Sequence, residues 1–239
     1  MINNIKRAFR AYSKVPFAFA WASFIAVIMY ALCAFAALGV FLIYFMAVSG
    51  FNHYVFDDPF TIGAVFIIGL LLKLLASGVN AALAEAYSDA LNGKRATIRE
   101  FYFKALKSAA SSYGITIIRD IVWIIFMAPV LALYIFALKG VQYIEIIIGI
   151  YGIFITWLIH MLFTPALLSC ALANTGIFSS LKQGFQVIRT GHVNFAGAYI
   201  LFAITWLLNL IPIVQIVSIF VLYPITYGTL ITFVEGTSE

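Results

Sequence analysis

The sequence is poor in charged residues. Only 10% of its 239 residues are Asp, Glu, Lys or Arg, whereas 64% are hydrophobic and the mean hydropathy is +1.08. Soluble domains carry roughly 25% charged residues, because water must solvate their surfaces. A chain with so few charges is excluded from the soluble globular class, and lipid must solvate most of its surface.

The sequence also lacks the motifs of familiar catalytic and ligand-binding sites. It contains no HExxH, GxSxG, P-loop or CxxC pattern, and no paired carboxylates suit acid–base chemistry. Its two cysteines, Cys33 and Cys170, fall in or at the edge of apolar segments, which argues against a disulfide framework. We therefore predict a non-enzymatic protein with no catalytic residue, no metal site and no cofactor.

Long apolar segments are abundant instead. About 20 residues of helix cross a hydrocarbon core roughly 30 Å thick, and these segments lack the alternating pattern of barrel strands. The prediction is an all-α polytopic protein, a single membrane domain with six spans. They lie near 17–48, 60–86, 121–138, 141–172, 195–210 and 213–234. The first and fourth segments are longer than one bilayer requires, so they must tilt, bend or project, and Pro165 is a candidate bend.

A cleaved signal peptide is the alternative for the first segment. Basic residues precede an apolar stretch there, and Ala34, Ala36 and Ala37 are small enough for a signal peptidase site. The apolar stretch is longer than the roughly 7 to 15 residues usual in signal peptides, which favours a membrane span.

Basic residues are concentrated in three segments that face one side if there are six spans. Eleven of the fourteen Lys and Arg residues lie there, whereas the opposite side offers Lys139 and the acidic pair Asp57 and Asp58. The positive-inside rule then predicts a multi-pass protein of the cell membrane with both termini in the cytoplasm.

The net charge of +5 thus describes a cytoplasmic face that attracts anionic lipid headgroups. Nucleic acid is excluded as a partner, because no soluble domain with base-stacking aromatics is present. The residues predicted to bind lipids or partner proteins are Lys6, Arg7, Arg10, Lys14, Lys94, Arg95, Arg99, Lys182 and Arg189.

The three basic segments repeat one amphipathic pattern. In the first copy, apolar residues recur with helical spacing from Ile5 to Tyr12, and Lys6, Arg10 and Lys14 form a separate stripe. Such helices lie in the headgroup plane with the apolar face down, and we predict them near 3–14, 97–107 and 178–190. Each precedes two spans, which indicates either three internal repeats or a chance likeness among basic loops.

Two segments carry a resemblance to a known family. They read ALNGKRATIREF from Ala90 to Phe101 and GIFSSLKQGFQVIR from Gly176 to Arg189. With the order of the spans, they make the chain resemble the polytopic prokaryotic families related to the membrane domain of glycerophosphoryl diester phosphodiesterase. The resemblance implies a six-span module. Hydrolysis in that enzyme belongs to a separate soluble domain, so no phosphodiesterase activity and no catalytic residue are implied.

Four polar residues within the spans form a candidate solute path, because a charge at bilayer depth costs a few kcal/mol and usually faces protein or water. Lys73 lies in the second span, Ser77 and Asn80 share its helix face at i+4 and i+7, and His160 lies in the fourth span. In the alternative interpretation, Lys73 snorkels or pairs with an acidic residue, Ser77 and Asn80 bond a neighbouring helix, and His160 is packed.

Arg119 and Asp120 are predicted to mark the cytoplasmic boundary of the third span, because 19 residues separate Asp120 from Lys139. Adjacent helical residues point about 100° apart, so the two side chains are expected to bind different partners.

These patterns leave three functional hypotheses. The first is a non-catalytic accessory or scaffold module that binds anionic lipids, other membrane proteins or further copies of itself through its basic face. The second is a small-solute transporter or channel, and the third is an intramembrane enzyme.

Overall fold

The structure, a computed structural model, describes residues 1–49, 59–138, 141, 143–208 and 211–236. Every regular element in these ranges is helical, which confirms the all-α prediction. The α-helices are α1 Ile2–Lys14, α2 Pro16–Ser49, α3 Pro59–Leu91, α4 Ile98–Leu133, α5 Ile144–Ala173, α6 Ile177–Leu208, α7 Pro212–Val217 and α8 Tyr223–Glu235. Two π-helical turns, Tyr134–Leu138 and Ser218–Leu222, extend α4 and join α7 to α8. Asp57, Asp58 and Lys139 lie outside the described residues.

Five helical segments are long and apolar enough to cross a membrane, which confirms a multi-pass fold. They are Pro16–Tyr44, Thr61–Leu91, Ile98–Leu138, Ile144–Ala173 and Val214–Glu235. A sixth results if the two parts of α6, Ile177–Gly191 and Val193–Thr205, count as one span, although they are bent by 106°. The α5 helix continues through Pro165 as far as Ala173.

The predicted second interfacial helix, 97–107, is wrong as a separate element. A capping box starts α4, in which the Glu100 amide donates to the Thr97 hydroxyl at 3.2 Å and the Thr97 amide donates to the Glu100 carboxylate at 3.0 Å. From there one helix runs through the basic segment and the predicted span to Leu133. Residues 108–120 contain no proline and a single glycine, so nothing ends the helix between the two parts.

The other two basic segments are separated from their spans by identifiable breaks. Val15 leaves the helical region at φ −136° and ψ 55°, because the residue before proline is disfavoured there and Pro16 follows. Gly191 leaves it at φ −124° and ψ 22°, at the bend in α6. The predictions of helices near 3–14 and 178–190 are therefore confirmed as distinct segments.

The α3 and α4 helices approach each other more closely than side chains normally permit. A Cβ added to Gly78 would lie 2.3 Å from the carbonyl oxygen of Ala105, so only glycine fits at this crossing. Buried alanines continue this tight face along α3: Ala81, Ala82, Ala84, Ala86 and Ala90. Small residues are the usual means by which membrane helices pack closely.

Both termini and the α3–α4 connection lie at one end of the bundle, here called the basic end. The Glu235 carboxylate of α8 contacts Arg7 at 3.5 Å and accepts a hydrogen bond from Ser88 at 2.5 Å. The Trp21 indole donates to the Ala96 carbonyl at 3.1 Å. The first basic segment and the α3–α4 connection therefore lie at the same end, and the arrangement of all three basic segments on one side of the membrane stays a prediction.

Candidate functional site

The nine basic residues predicted to bind lipids or partners are all exposed in the structure. Among the residues that the structure describes, Arg7 is the only one of the nine in an ion pair. Two others lie over aromatic rings, because the guanidinium carbon of Arg95 is 4.7 Å from the centre of the Trp21 ring and that of Arg99 is 5.7 Å from the centre of the Phe103 ring. Eight of these cations thus lack a carboxylate partner in the described part of the chain.

The acidic residues that the structure describes near the basic end are already engaged. Lys104 bonds Asp89 at 2.7 Å and Glu85 at 3.2 Å, Glu100 caps α4, and Glu235 bonds Arg7 and Ser88. The described residues therefore supply few counter-charges for the exposed cations, and this part of the basic end presents net positive charge to its surroundings.

The three basic segments share one pattern of burial when they are aligned with Ile5, Ile98 and Leu181 as the first residue of each copy. The second residue of each copy is an exposed cation: Lys6, Arg99 and Lys182. The fourth is buried against the bundle: Ala8, Phe101 and Gly184. The fifth is an exposed aromatic: Phe9 at 56%, Tyr102 at 47% and Phe185 at 52%. Threefold internal repetition stays a prediction, but the three copies present their cation and aromatic ring in the same way.

This pattern corrects the expectation that the whole apolar face of each basic helix faces lipid. Ala8 packs beside Gly228 of α8, and Gly184 is so close to Ala166 of α5 that an added Cβ would lie 2.5 Å from the Ala166 nitrogen. Part of the predicted apolar face is therefore occupied by protein. Side chains of these faces that stay exposed, such as Phe9 and Ile98, are accessible to lipid.

A second cluster of charges lies midway along the helices. Lys73 of α3 bonds one carboxylate oxygen of Asp120. The other oxygen accepts from Arg119 Nη2 at 2.9 Å and Nε at 3.3 Å. The prediction that Arg119 and Asp120 bind different partners is wrong, because the long arginine side chain folds back onto its neighbour's carboxylate.

Their predicted role at the cytoplasmic boundary of the third span stays a prediction. Asp120 lies inside a continuous helix and is level with Lys73 of α3. Residues 108–118 and 121–138 carry no charge, so at a rise of about 1.5 Å per residue the pair is more than ~15 Å from the next charge along α4 in either direction.

His160 joins this cluster from α5, where it interacts electrostatically with Arg119, Asp120 and Lys73. Thr164 donates to the His160 carbonyl at 2.7 Å. Two candidates for the solute path, Lys73 and His160, thus lie within electrostatic range of each other. Without counting His160, the cluster holds two cations and one carboxylate, so it carries excess positive charge.

Ser77 and Asn80 do not join it. The Ser77 hydroxyl donates to the Lys73 carbonyl of its own helix at 2.8 Å, which makes the expected bond to a neighbouring helix wrong. Asn80 accepts from the Tyr30 hydroxyl of α2 at 2.6 Å, as the structural interpretation predicts. The helix face from Lys73 to Asn80 therefore contacts two different helices, α4 through Lys73 and α2 through Asn80.

A hollow at the basic end, whose lining includes Trp21 of α2 and Arg95 of the α3–α4 connection, was missed by sequence reasoning. The two residues are far apart in the sequence and no motif joins them, so no local signal could have revealed it. Both cysteines are free, and the described residues contain no group of three or more His, Cys, Asp or Glu side chains placed to hold a metal.

No protein-family model, no curated protein and no solved structure matches this chain. The resemblance to the families related to the membrane domain of glycerophosphoryl diester phosphodiesterase therefore stays a prediction.

Proposed function

We propose that this chain is a non-catalytic accessory or scaffold module of the cell membrane, whose basic end faces the cytoplasm and binds anionic lipid headgroups. The observation that carries the proposal is the set of eight exposed cations with no carboxylate partner in the described part of the chain. Exposed aromatic residues beside them suit the boundary between headgroups and acyl chains.

Electrostatics supports this assignment. The cytoplasmic leaflet is negatively charged, and each Lys or Arg near its surface contributes about 1 kcal/mol to attraction. The cations are distributed over α1, the α3–α4 connection, the start of α4 and the first part of α6. A flat anionic surface can contact such a set at once, and so can an acidic partner protein or a second copy that presents carboxylates.

The test removes the charge of α1 without disturbing its ion pair. The variant K6Q/R10Q/K14Q keeps Arg7, which holds Glu235. We expect the purified variant to retain fewer phosphatidylglycerol molecules than the wild type in native mass spectrometry, with phosphatidylcholine retention unchanged. The control N3A/N4A/S13A changes polar residues of the same helix and leaves its charge alone. Equal phosphatidylglycerol retention in all three proteins would contradict the proposal.

The charge cluster favours a second candidate function, a small-solute transporter or channel. Three helices contribute Lys73, Arg119, Asp120 and His160 to one level, and excess positive charge at bilayer depth attracts an anion. The charges of this cluster partly satisfy one another, however, because Asp120 bonds both Lys73 and Arg119, whereas eight cations of the basic end have no carboxylate partner in the described part of the chain. The scaffold function is therefore better supported.

The variant K73L distinguishes the two candidates. A transporter would lose chloride efflux from proteoliposomes while the amount of folded protein stayed the same, and K73R would restore part of it. A structural ion pair would instead show a loss of folded protein, with no chloride efflux in the wild type.

A further inference from the structure

We infer that the hollow between the start of α2 and the α3–α4 connection binds one anionic phospholipid, with its phosphate on Arg95 and an acyl chain along the aromatic side chains. This inference rests on the proposed lipid-binding function and names the place and the lipid chemistry. The hollow has a volume of about 370 Å³ and is lined by Phe17, Ala20, Trp21, Phe24, Arg95 and Phe220.

Trp21 organises the cationic part of the hollow. Its indole nitrogen donates to the Ala96 carbonyl at 3.1 Å, and Ala96 is buried, so the ring and the α3–α4 connection hold each other in place. The Arg95 guanidinium lies over this ring, 4.7 Å from its centre. A guanidinium over an aromatic ring is held by the ring's electrostatic attraction, and no described carboxylate pairs with Arg95, so its N–H groups are available for bidentate hydrogen bonds to a phosphate.

The rest of the lining is apolar and partly open. Phe17, at the first turn of α2, is 83% exposed, and Phe24, two turns further on, is 46% exposed. Phe220 closes the side towards the π-helical turn, and its carbonyl accepts a hydrogen bond from Tyr12 of α1 at 3.1 Å. A cation above exposed aromatic rings matches a phospholipid, in which an anionic headgroup is joined to an apolar chain. A free inorganic anion would make no apolar contact with these rings.

A second hollow, at the start of α4, differs from the first in the carboxylates that surround its cations. It is lined by Thr97, Arg99, Glu100, Phe103 and Lys104, and its arginine also lies over a ring, with the guanidinium carbon 5.7 Å from the centre of Phe103. That hollow contains the Glu100 carboxylate, and its lysine already binds Glu85 and Asp89. The lining of the first hollow contains no carboxylate, so Arg95 is the cation left for an external anion.

The experiment counts lipids bound to the purified full-length chain in mild detergent by native mass spectrometry, with phosphatidylglycerol and phosphatidylcholine as probes. We expect R95Q to weaken the tightest phosphatidylglycerol binding about tenfold, the scale of a lost charge-assisted hydrogen bond. The matched variant R99Q removes one of the other basic-end charges and is expected to weaken this binding much less than R95Q does. R95K keeps the charge but loses the planar guanidinium, and it is expected to fall between the wild type and R95Q.

Two further measurements test whether the bound anion is a lipid headgroup or free phosphate, and a comparison at equal yield controls for misfolding. F24S removes one apolar wall without touching Arg95, and we expect it to weaken phosphatidylglycerol binding as well. Excess inorganic phosphate is expected to leave the bound lipid in place, and its displacement by phosphate would overturn the lipid assignment. Each variant is compared at equal yield of monodisperse protein, and R95K supplies the test if R95Q does not fold.

The possible failures are distinguishable. If R95Q and R99Q weaken binding equally, the hollow is not a site, while the general binding of anionic lipid by the basic end stands. If neither variant nor the neutralised α1 changes retention, the proposed function fails together with this inference.

Discussion

Asp120 is the residue on which the intramembrane cluster depends, because its two oxygens bond Lys73 and Arg119 separately. The variant D120N would leave two cations without a carboxylate in an apolar part of the fold, whereas K73M would leave the Arg119–Asp120 pair intact. Removing one partner of a fully buried pair costs about 3–5 kcal/mol, and the cost here is smaller because Asp120 is 32% exposed. We expect D120N to lower the melting temperature more than K73M.

A thiol-reactive dye can measure this in detergent. Cys170 is 2% exposed and reacts only on unfolding, above a background from the more accessible Cys33. A larger decrease in melting temperature for K73M than for D120N would show that the lysine, and not the carboxylate, holds the cluster together.

Gly78 provides a second test at the residue scale. Its missing side chain lets the α4 backbone approach, so G78A must push α3 and α4 apart, at a cost of about 1–3 kcal/mol for overpacking. The matched variant G69A lies in the same helix with nothing within 4 Å of the added Cβ. Because alanine is the better helix former, we expect G69A to be neutral or stabilising. Equal thermal stability of G78A and G69A would contradict the tight crossing.

At the scale of elements, sequence reasoning succeeded where apolar length decides the structure and failed where a break had to be located. The apolar segments predicted α2, α3 and α5 to within a few residues. The basic segment 97–107 was predicted as a separate helix from its charge pattern alone, although residues 108–120 contain nothing that ends a helix. In the other two basic segments, Pro16 and Gly191 are the residues that signal a break between the basic helix and the span that follows.

Long-range pairs lay beyond the sequence. Lys73 and Asp120 belong to different helices, and which charges meet depends on the α3–α4 crossing that Gly78 permits. Periodicity places a side chain on a face of its helix, but it does not say which helix covers that face. The α3 face from Lys73 to Asn80 is an example, because Lys73 contacts α4 and Asn80 contacts α2.

The docking of α1 on α8 gives a prediction for an element. Ala8 is 1% exposed, and its Cβ lies 3.7 Å from the position that a Cβ on Gly228 would take. A bulky A8W side chain should displace α1 and increase tryptic cleavage at the basic residues of this helix. F9W adds the same ring at an exposed position and should leave the cleavage rate unchanged. Equal cleavage of A8W and wild type would show that α1 is not held by this contact.

At the scale of the whole molecule, the proposed orientation predicts which residues an impermeant reagent can reach from outside the cell. In a background with Cys33 and Cys170 replaced by alanine, S13C lies in α1 at the basic end, and V141C lies between α4 and α5. Both positions are exposed. We expect an impermeant maleimide to label V141C but not S13C in intact cells, with both labelled after lysis. Labelling of S13C before lysis would place the basic end outside.

The proposed function requires that the basic end collect anionic lipid around the protein in its own membrane. Polymer-bounded nanodiscs extract the chain with its surrounding lipid, whose composition can then be measured. We expect the anionic fraction in these discs to exceed that of the bulk membrane, and the excess to fall when Lys6, Arg10, Lys14 and Arg95 are replaced by glutamine. An anionic fraction equal to that of the bulk membrane would contradict the proposed function.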